Sequence, residues 1–239
     1  MSINPLVRKL SRYADLTEGE RDQIETWCAW PTTRKARTSL IEEGDRPEAT
    51  CIMLQGWACR YKDLADGRRQ IVGVLLPGDM CDLQAFLLAS ADHNIATLSN
   101  AVLVLVPSAT IVDGLQREPG LTPALWWSTL VDEGIAREWL VNIGQRDAVT
   151  RIAHLFCELW TRADLVGFVG PDGLRLPMTQ EDLGRTISLS SVHVNRSLQL
   201  LREQRLIALS GRQLLIPDFE RLADFAGFDP TYLQLQRRT

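Results

Sequence analysis

Between Ser190 and Gln204 the chain carries side chains suited to reading the edges of DNA bases. Val194, Leu198 and Leu201 fall at i, i+4 and i+7, so on a helix they share an inward face. Ser191, Val192, Asn195, Arg196 and Gln199 are then left on the outer face, and His193 lies in the same first turn. A guanidinium such as Arg196 can offer two parallel donors to guanine O6 and N7. Asn195 can pair with adenine N6 and N7, and Val192 can touch a thymine methyl. Ser191 and Thr179 stand at helix starts, where hydroxyls and unpaired backbone N–H groups can hold phosphates, and Ser190 is a further DNA-binding candidate beside them. For a helix taken alone, a solvated polar face is the ordinary reading of such residues. What surrounds this one decides otherwise.

Such a helix must be locked in place to read anything. Upstream, Thr179 and Asp182 have capping-box spacing and open a preceding helix. Ile187-Ser188-Leu189 makes a tight turn, and Ser190 caps the longer helix that runs to about Gln204. Downstream, Leu206–Leu209 and Gln213–Ile216 flank a Ser210-Gly211 turn, and Arg175-Leu176 is a short strand after Gly170-Pro171-Asp172-Gly173. Helix, turn, helix and two-stranded ribbon follow in the order of a winged helix-turn-helix.

The charge balance permits nucleic-acid binding only locally. The 239 residues carry 26 Lys and Arg against 30 Asp and Glu, a net charge of −4. From Gly173 to Gln213, however, six arginines face three acids. A local basic face can bind phosphates while the rest of the molecule suppresses nonspecific association.

Earlier in the chain the texture differs. From about Thr38 to Pro107, short apolar runs are broken by Glu43-Gly44-Asp45, Gln55-Gly56, Asp66-Gly67 and Pro77-Gly78-Asp79. That pattern is an antiparallel β sandwich or barrel. Asp66-Gly67 is read as a two-residue hairpin turn. A helix with a Thr17/Glu20 capping box precedes this region. After Pro107, Trp127, Val131, Ile135, Trp139 and Ile143 recur every fourth residue, the stripe of a helix of about five or six turns. It could lie along the β region, pair with its twin, or do both. Gly144 is read as its stop, and a second amphipathic helix follows with Val149, Ile152, Ala153, Phe156 and Trp160 on one face.

Thr179-Gln180-Glu181-Asp182-Leu183-Gly184 and Leu189-Ser190-Ser191-Val192-His193-Val194-Asn195-Arg196 resemble the DNA-binding motif of the Crp/Fnr regulators. The β region with Pro77-Gly78-Asp79 is similar to that family's cyclic-nucleotide-binding-like jelly roll. The resemblance implies an α+β chain with an N-terminal antiparallel β jelly roll, a long central dimerisation helix and a C-terminal winged helix-turn-helix. Residues 1–145 would form the sensor with its dimerisation helix at about 122–143, and 146–239 the DNA-binding domain. It further implies a homodimer on a palindromic double-stranded DNA site, with RNA polymerase as a further partner. Trp127, Val131, Ile135 and Trp139 are the residues expected between two copies.

Departures from the family matter as much. Val192 stands where relatives reading the best-known half-sites have glutamate, and valine cannot accept from cytosine N4. The expected effector pocket holds Asp82, Leu83, Asp92, His93 and Asn94. Asp92-His93-Asn94 aligns with the family's phosphate-binding trio, and an acid there repels a phosphate, which argues against cyclic AMP. Before residue 50 the only cysteine is Cys28, so no iron–sulfur cluster is expected, and His93 with Cys81 is a weak basis for haem. Cys51 and Cys59 are conceivable redox partners. The effector itself stays open.

Other classes fare worse. The five cysteines have irregular spacing without a C-x-x-C pair, and no metal cluster, P-loop, nucleophile elbow or triad is found, which argues against an enzyme. Apolar runs such as Ala101 to Val106 are too short to cross a bilayer, and Met1 to Leu10 lacks a secretory stretch, so no membrane partner and a cytoplasmic location are expected. The competing reading is an effector-binding allosteric module whose C-terminal domain contacts proteins rather than DNA.

Overall fold

The computed structural model describes residues 3–46, 48–81, 83 and 88–235. Close contacts divide them into two compact units. Of the described residues, the first comprises those up to Lys62, those in 73–133, and Gln234 and Leu235; the second comprises 63–72 and 134–233. Sequence patterning puts the division near 145/146; in the structure, residues 134–145 and 63–72 are drawn into the second unit.

The first unit opens with helices α1 (Pro5–Leu10) and α2 (Glu18–Trp27), the latter held by the Thr17/Glu20 capping box. Strands β1 (Thr32–Arg34), β2 (Ser39–Ile41), β3 (Ala49–Gln55), β4 (Ala58–Asp63), β5 (Arg69–Leu75), β6 (Met80–Cys81), β7 (Asn94–Thr97) and β8 (Ala101–Pro107) follow. They form two four-stranded sheets, in the orders β1-β8-β3-β6 and β2-β7-β4-β5. Alternation along β3 and β8 explains how the sheets are buried. Cys51, Met53, Ala101 and Leu103 join Ile41, Ala58, Leu75, Cys81 and Ile95 in one core. Ile52, Val104 and Val106 point the other way, into a core shared with Leu6, Leu10, Ile24 and Trp27 of α1 and α2. A sheet covered on both faces reads as an unbroken apolar run, which is why Ala101 to Val106 does not alternate. Helix α3 (Ser108–Arg117) adds Ile111 to the outer core.

One turn anchors the first helix of this unit. Gly78 has φ +88°, and a Cβ there would meet the Pro5 carbonyl oxygen at 2.7 Å. Beside it, Asp79 accepts from the Leu76 N–H at 2.7 Å and from the buried Lys9 ammonium at 2.7 Å. Burial pulls Lys9 down, but Asp79 and Asp132 outweigh it and hold the ammonium charged. The Pro-Gly-Asp motif therefore anchors α1. The β4–β5 connection differs from expectation: Asp66-Gly67 belongs to a three-residue loop, Ala65–Gly67, with Leu64 and Arg68 still bonded across it and Gly67 at φ +82°.

Helix α4 (Leu121–Gln145) continues through Gly144, and Asp147 then caps α5 (Ala148–Leu165) by accepting from Val149 and Thr150. In the second unit β9 (Val169–Gly170) and β10 (Gly173–Arg175) precede α6 (Gln180–Ile187) and α7 (Ser191–Glu203). The wing consists of β11 (Ala208–Ser210) and β12 (Gln213–Leu215), giving the sheet order β11-β12-β10-β9. Its turn is Gly211-Arg212, one residue beyond the expected Ser210-Gly211, because Ser210 still pairs with Gln213. Helix α8 (Phe219–Ala226) and a 3-10 turn at Pro230–Leu233 complete the unit.

A buried polar cluster fastens the end of α4 to α5. The fully buried Glu158 carboxylate accepts from Trp139 Nε1 at 2.9 Å, Tyr232 OH at 3.0 Å and Arg162 at 3.1 Å. His154 packs between Phe228 and Tyr232, with Nε2 3.3 Å from Glu138. Burial, reinforced by Arg146, lowers the His154 pKa to about 4. As pH falls from about 6.5 towards 4, the unfolded chain takes up a proton at this site that the folded chain refuses. His154 therefore costs up to about 3 kcal/mol of stability across that window. Urea melts should show a His154→Phe variant losing less stability than wild type between pH 7 and pH 4.5. Equal losses would contradict the assignment.

The α6–α7 junction depends on Gly184. A Cβ there would lie 2.4 Å from the Leu189 carbonyl oxygen, and Leu189 N–H donates back to the Gly184 carbonyl at 2.9 Å. Ser188 closes α6 in the left-handed region at φ 56°. On helix propensity alone, Gly184→Ala would stabilise by about 1 kcal/mol. The close approach reverses that sign, so a loss of about 1–3 kcal/mol is expected in denaturant melts. A stabilised variant would contradict the geometry.

Candidate nucleic-acid interface

Helix α7 is divided as its sequence spacing requires. Val194, Leu198 and Leu201 are buried, with the small Ser197 beside them. Ser190, Ser191, Val192, His193, Asn195, Arg196 and Gln199 are all exposed. Val192, an apolar side chain, is 74% exposed, as expected of a residue awaiting an apolar contact rather than filling a core. Among the described residues Arg196 has no hydrogen bond or ion pair, so its guanidinium is available to an incoming acceptor. By contrast Arg185 on α6 is engaged by Glu181 at 2.7 Å.

Of the two hydroxyls expected to hold phosphates, that of Thr179 is already engaged, while Ser191 is exposed, and the Ser190 hydroxyl is engaged as well. Thr179 Oγ1 accepts from Asp182 N–H at 3.1 Å and donates to its carboxylate at 2.8 Å. Ser190 Oγ accepts from the His193 N–H at 3.4 Å and lies 2.8 Å from His193 Nδ1. Both therefore act first as caps, and the first-turn backbone N–H groups of the two helices are the better phosphate donors.

Three supports of the motif escaped the sequence reading. Gln70, from the β4–β5 hairpin, donates to the Thr186 carbonyl at 3.2 Å and accepts from Ser188 Oγ at 3.0 Å. The hairpin end that carries it is stiffened by the two-pronged Arg69–Asp63 pair at 2.7 and 2.8 Å. Arg151 on α5 donates to the Ile187 carbonyl at 3.3 Å. Each satisfies or braces the end of α6 beside the turn. No local pattern links residue 70 to residue 188, so only the folded chain reveals the first of them.

The expected pocket residues that are described have other contacts. Asp82 lies outside the described residues. Leu83 packs against the outer core with α1 and α2. Asp92 points its side chain into solvent, pairs with His93 Nδ1 at 2.7 Å, and accepts from Lys62 through its carbonyl. Asn94 caps a neighbouring loop by accepting from the Glu43 N–H at 3.0 Å. The cation on the inner face of the β roll is instead Arg60, opposite Ile95 in register. It donates to Asp132 of α4 at 3.2 Å and to the Met80 carbonyl at 3.3 Å.

The α4 stripe expected between two copies is largely used within one chain. Trp127 stacks on Tyr13 at 5.6 Å, and Val131, Ile135 and Trp139 are buried. Trp126, Leu130, Leu140 and Val141 stand exposed instead.

Two family descriptions match the chain: a cyclic nucleotide-binding domain over residues 32–118 and a Crp-like helix-turn-helix domain over 150–225. The transcriptional activator protein FnrL of Cereibacter sphaeroides is 28% identical over 199 residues, 82% of this chain and 79% of its own. The nitrogen fixation regulation protein FixK of Rhizobium meliloti is 29% identical over 178 residues, 74% of this chain and 77% of its own. Among solved structures, FixK2 from Bradyrhizobium japonicum superposes with a TM-score of 0.72 at 23% identity, covering 82% of this chain and 96% of that one. Sensor roll, central helix and winged helix-turn-helix thus occur in one chain, matched in sequence along most of its length, and the protein belongs to the Crp/Fnr family of transcription regulators.

Proposed function

We propose that this regulator binds a palindromic DNA site as a homodimer, with α7 of each copy in a major groove. The observation that carries this reading is the outer edge of α7, where Arg196 stands unengaged beside Asn195 and Val192 above a sealed apolar face. Arg196 supplies a two-pronged contact to one guanine per half-site, and Val192 favours a thymine methyl over the cytosine that a glutamate would select. Ser191, His193 and Gln199 flank these contacts. RNA polymerase is the partner that a transcription regulator would engage, and the site of action is the cytoplasm. Cyclic AMP is not the effector favoured, since the position expected to hold its phosphate carries the outward acid Asp92.

Fluorescence anisotropy with duplexes from the gene's own upstream region tests the DNA contact. Arg196→Ala should weaken binding about tenfold to a hundredfold and relax preference at one base pair per half-site. Unchanged affinity, or binding without sequence preference in the wild type, would contradict it.

The second copy is placed against Trp126, Leu130, Leu140 and Val141, the apolar residues of α4 that its own chain leaves exposed. Sedimentation at micromolar concentration should show a dimer for wild type and a monomer for the Leu130→Glu, Leu140→Glu double variant. A dimeric double variant would move the interface elsewhere.

A further inference from the structure

Cys51 and Cys81 face each other across two antiparallel strands. They are paired directly in the β3–β6 register, next to the Ile52–Met80 pair. Directly opposed side chains lie on one face of a sheet, and both thiols sit in the inner core between the two sheets, while Ile52 and Met80 sit in the outer core. Opposed residues of an antiparallel pair have Cα atoms about 4.5–5.5 Å apart. That lies within the span of about 4.4–6.8 Å that a disulfide bridges. Cys59, the partner that chain distance suggested, lies opposite Ala96 on another strand pair.

We propose that Cys51 and Cys81 form a redox-responsive dithiol inside the sensor unit, closing to a disulfide when a hydroperoxide reaches it. One thiolate attacks the peroxide oxygen, becomes a sulfenic acid and releases hydroxide, which takes up the proton that thiol gave up, as water. The second thiol attacks that sulfur, the S–S bond forms, and the sulfenic oxygen leaves as water with the second thiol's proton. In sum, two thiols and hydrogen peroxide give one disulfide and two waters. A dithiol reductant reverses the bond by exchange.

Both thiols are buried, so access depends on local opening. Strand β6 has two residues and lies at the edge of its sheet, paired with β3. Short edge strands open at far lower cost than the whole unit, which makes this pair reachable without global unfolding. Cys28 closes α2 and Cys157 lies on α5. Burial raises both thiols, Cys157 to about 12, and keeps them protonated and slow to react. Closing the bond would fix β3 to β6 at the residue that leads into position 82, and so alter the sensor unit.

The test uses the full-length protein, reduced and then exposed to hydrogen peroxide, with remaining thiols blocked by N-ethylmaleimide before proteolysis and mass spectrometry. A Cys51–Cys81 linked peptide should dominate, disappear on dithiothreitol treatment, and be absent from Cys81→Ser and Cys81→Ala, while Cys28 and Cys157 stay thiols. The oxidised protein should then bind its upstream duplex with an affinity changed at least fivefold, and Cys81→Ser should show no such change. Failure to find the linked peptide, or finding other pairs instead, overturns the dithiol. Linkage with unchanged DNA affinity overturns its regulatory role. Because mass spectrometry reads the bond directly, loss of the DNA-binding reading would leave the dithiol result intact and separately judged.

Discussion

The polar outer edge of α7 exists because the opposite edge is sealed. Val194, Leu198 and Leu201 are buried, so rotating α7 by a third of a turn would expose them and bury Arg196 or Asn195. Burying an unpaired guanidinium costs several kcal/mol, far more than a marginally stable domain tolerates. The rotation of the helix is therefore fixed by the apolar residues, and the polar ones are aimed by default. Gly184 adds the second constraint, since the carbonyl of Leu189 occupies the space a side chain would take. Together these set where α7 begins and which way it faces.

That local constraint is reinforced from distant parts of the chain. Arg151 on α5 and Gln70 on the β4–β5 hairpin both satisfy carbonyls at the end of α6. Glu158, deep inside, gathers Trp139, Arg162 and Tyr232, so the end of α4, the body of α5 and the C-terminal turn share one buried carboxylate. Removing any single donor would leave part of that carboxylate unsatisfied. The second unit thus holds α7 through polar groups that are paired inside it.

How much of this was legible in advance follows the range of each interaction. The capping boxes at Thr17 and Thr179 and the division of α7 rest on residues a few positions apart, and all were readable from spacing, whereas Gly144 did not end α4 as read. Turn details were readable only to within a residue, because Gly67 and Gly211 announce a turn without fixing which residues close it. The α4 stripe was visible, yet periodicity cannot say whether a stripe is covered by its own chain or by another. In this chain Tyr13 and Glu158 claim Trp127 and Trp139, leaving Trp126, Leu130 and Leu140 outside. The effector residues were least legible: Asp92 and Asn94 serve loop contacts, whereas Arg60 reaches the inner face from a strand both of whose faces are partly buried.

In the proposed complex Arg196 holds the N7 edge of one guanine in each half-site. Replacing that guanine by 7-deazaguanine removes the acceptor while keeping the base pair, so it can be combined with Arg196→Ala in a double-substitution cycle. The expected result is that either change alone weakens binding about tenfold or more, and that the two together weaken it hardly further. Additive losses would show that Arg196 and this guanine do not meet, and would contradict the account.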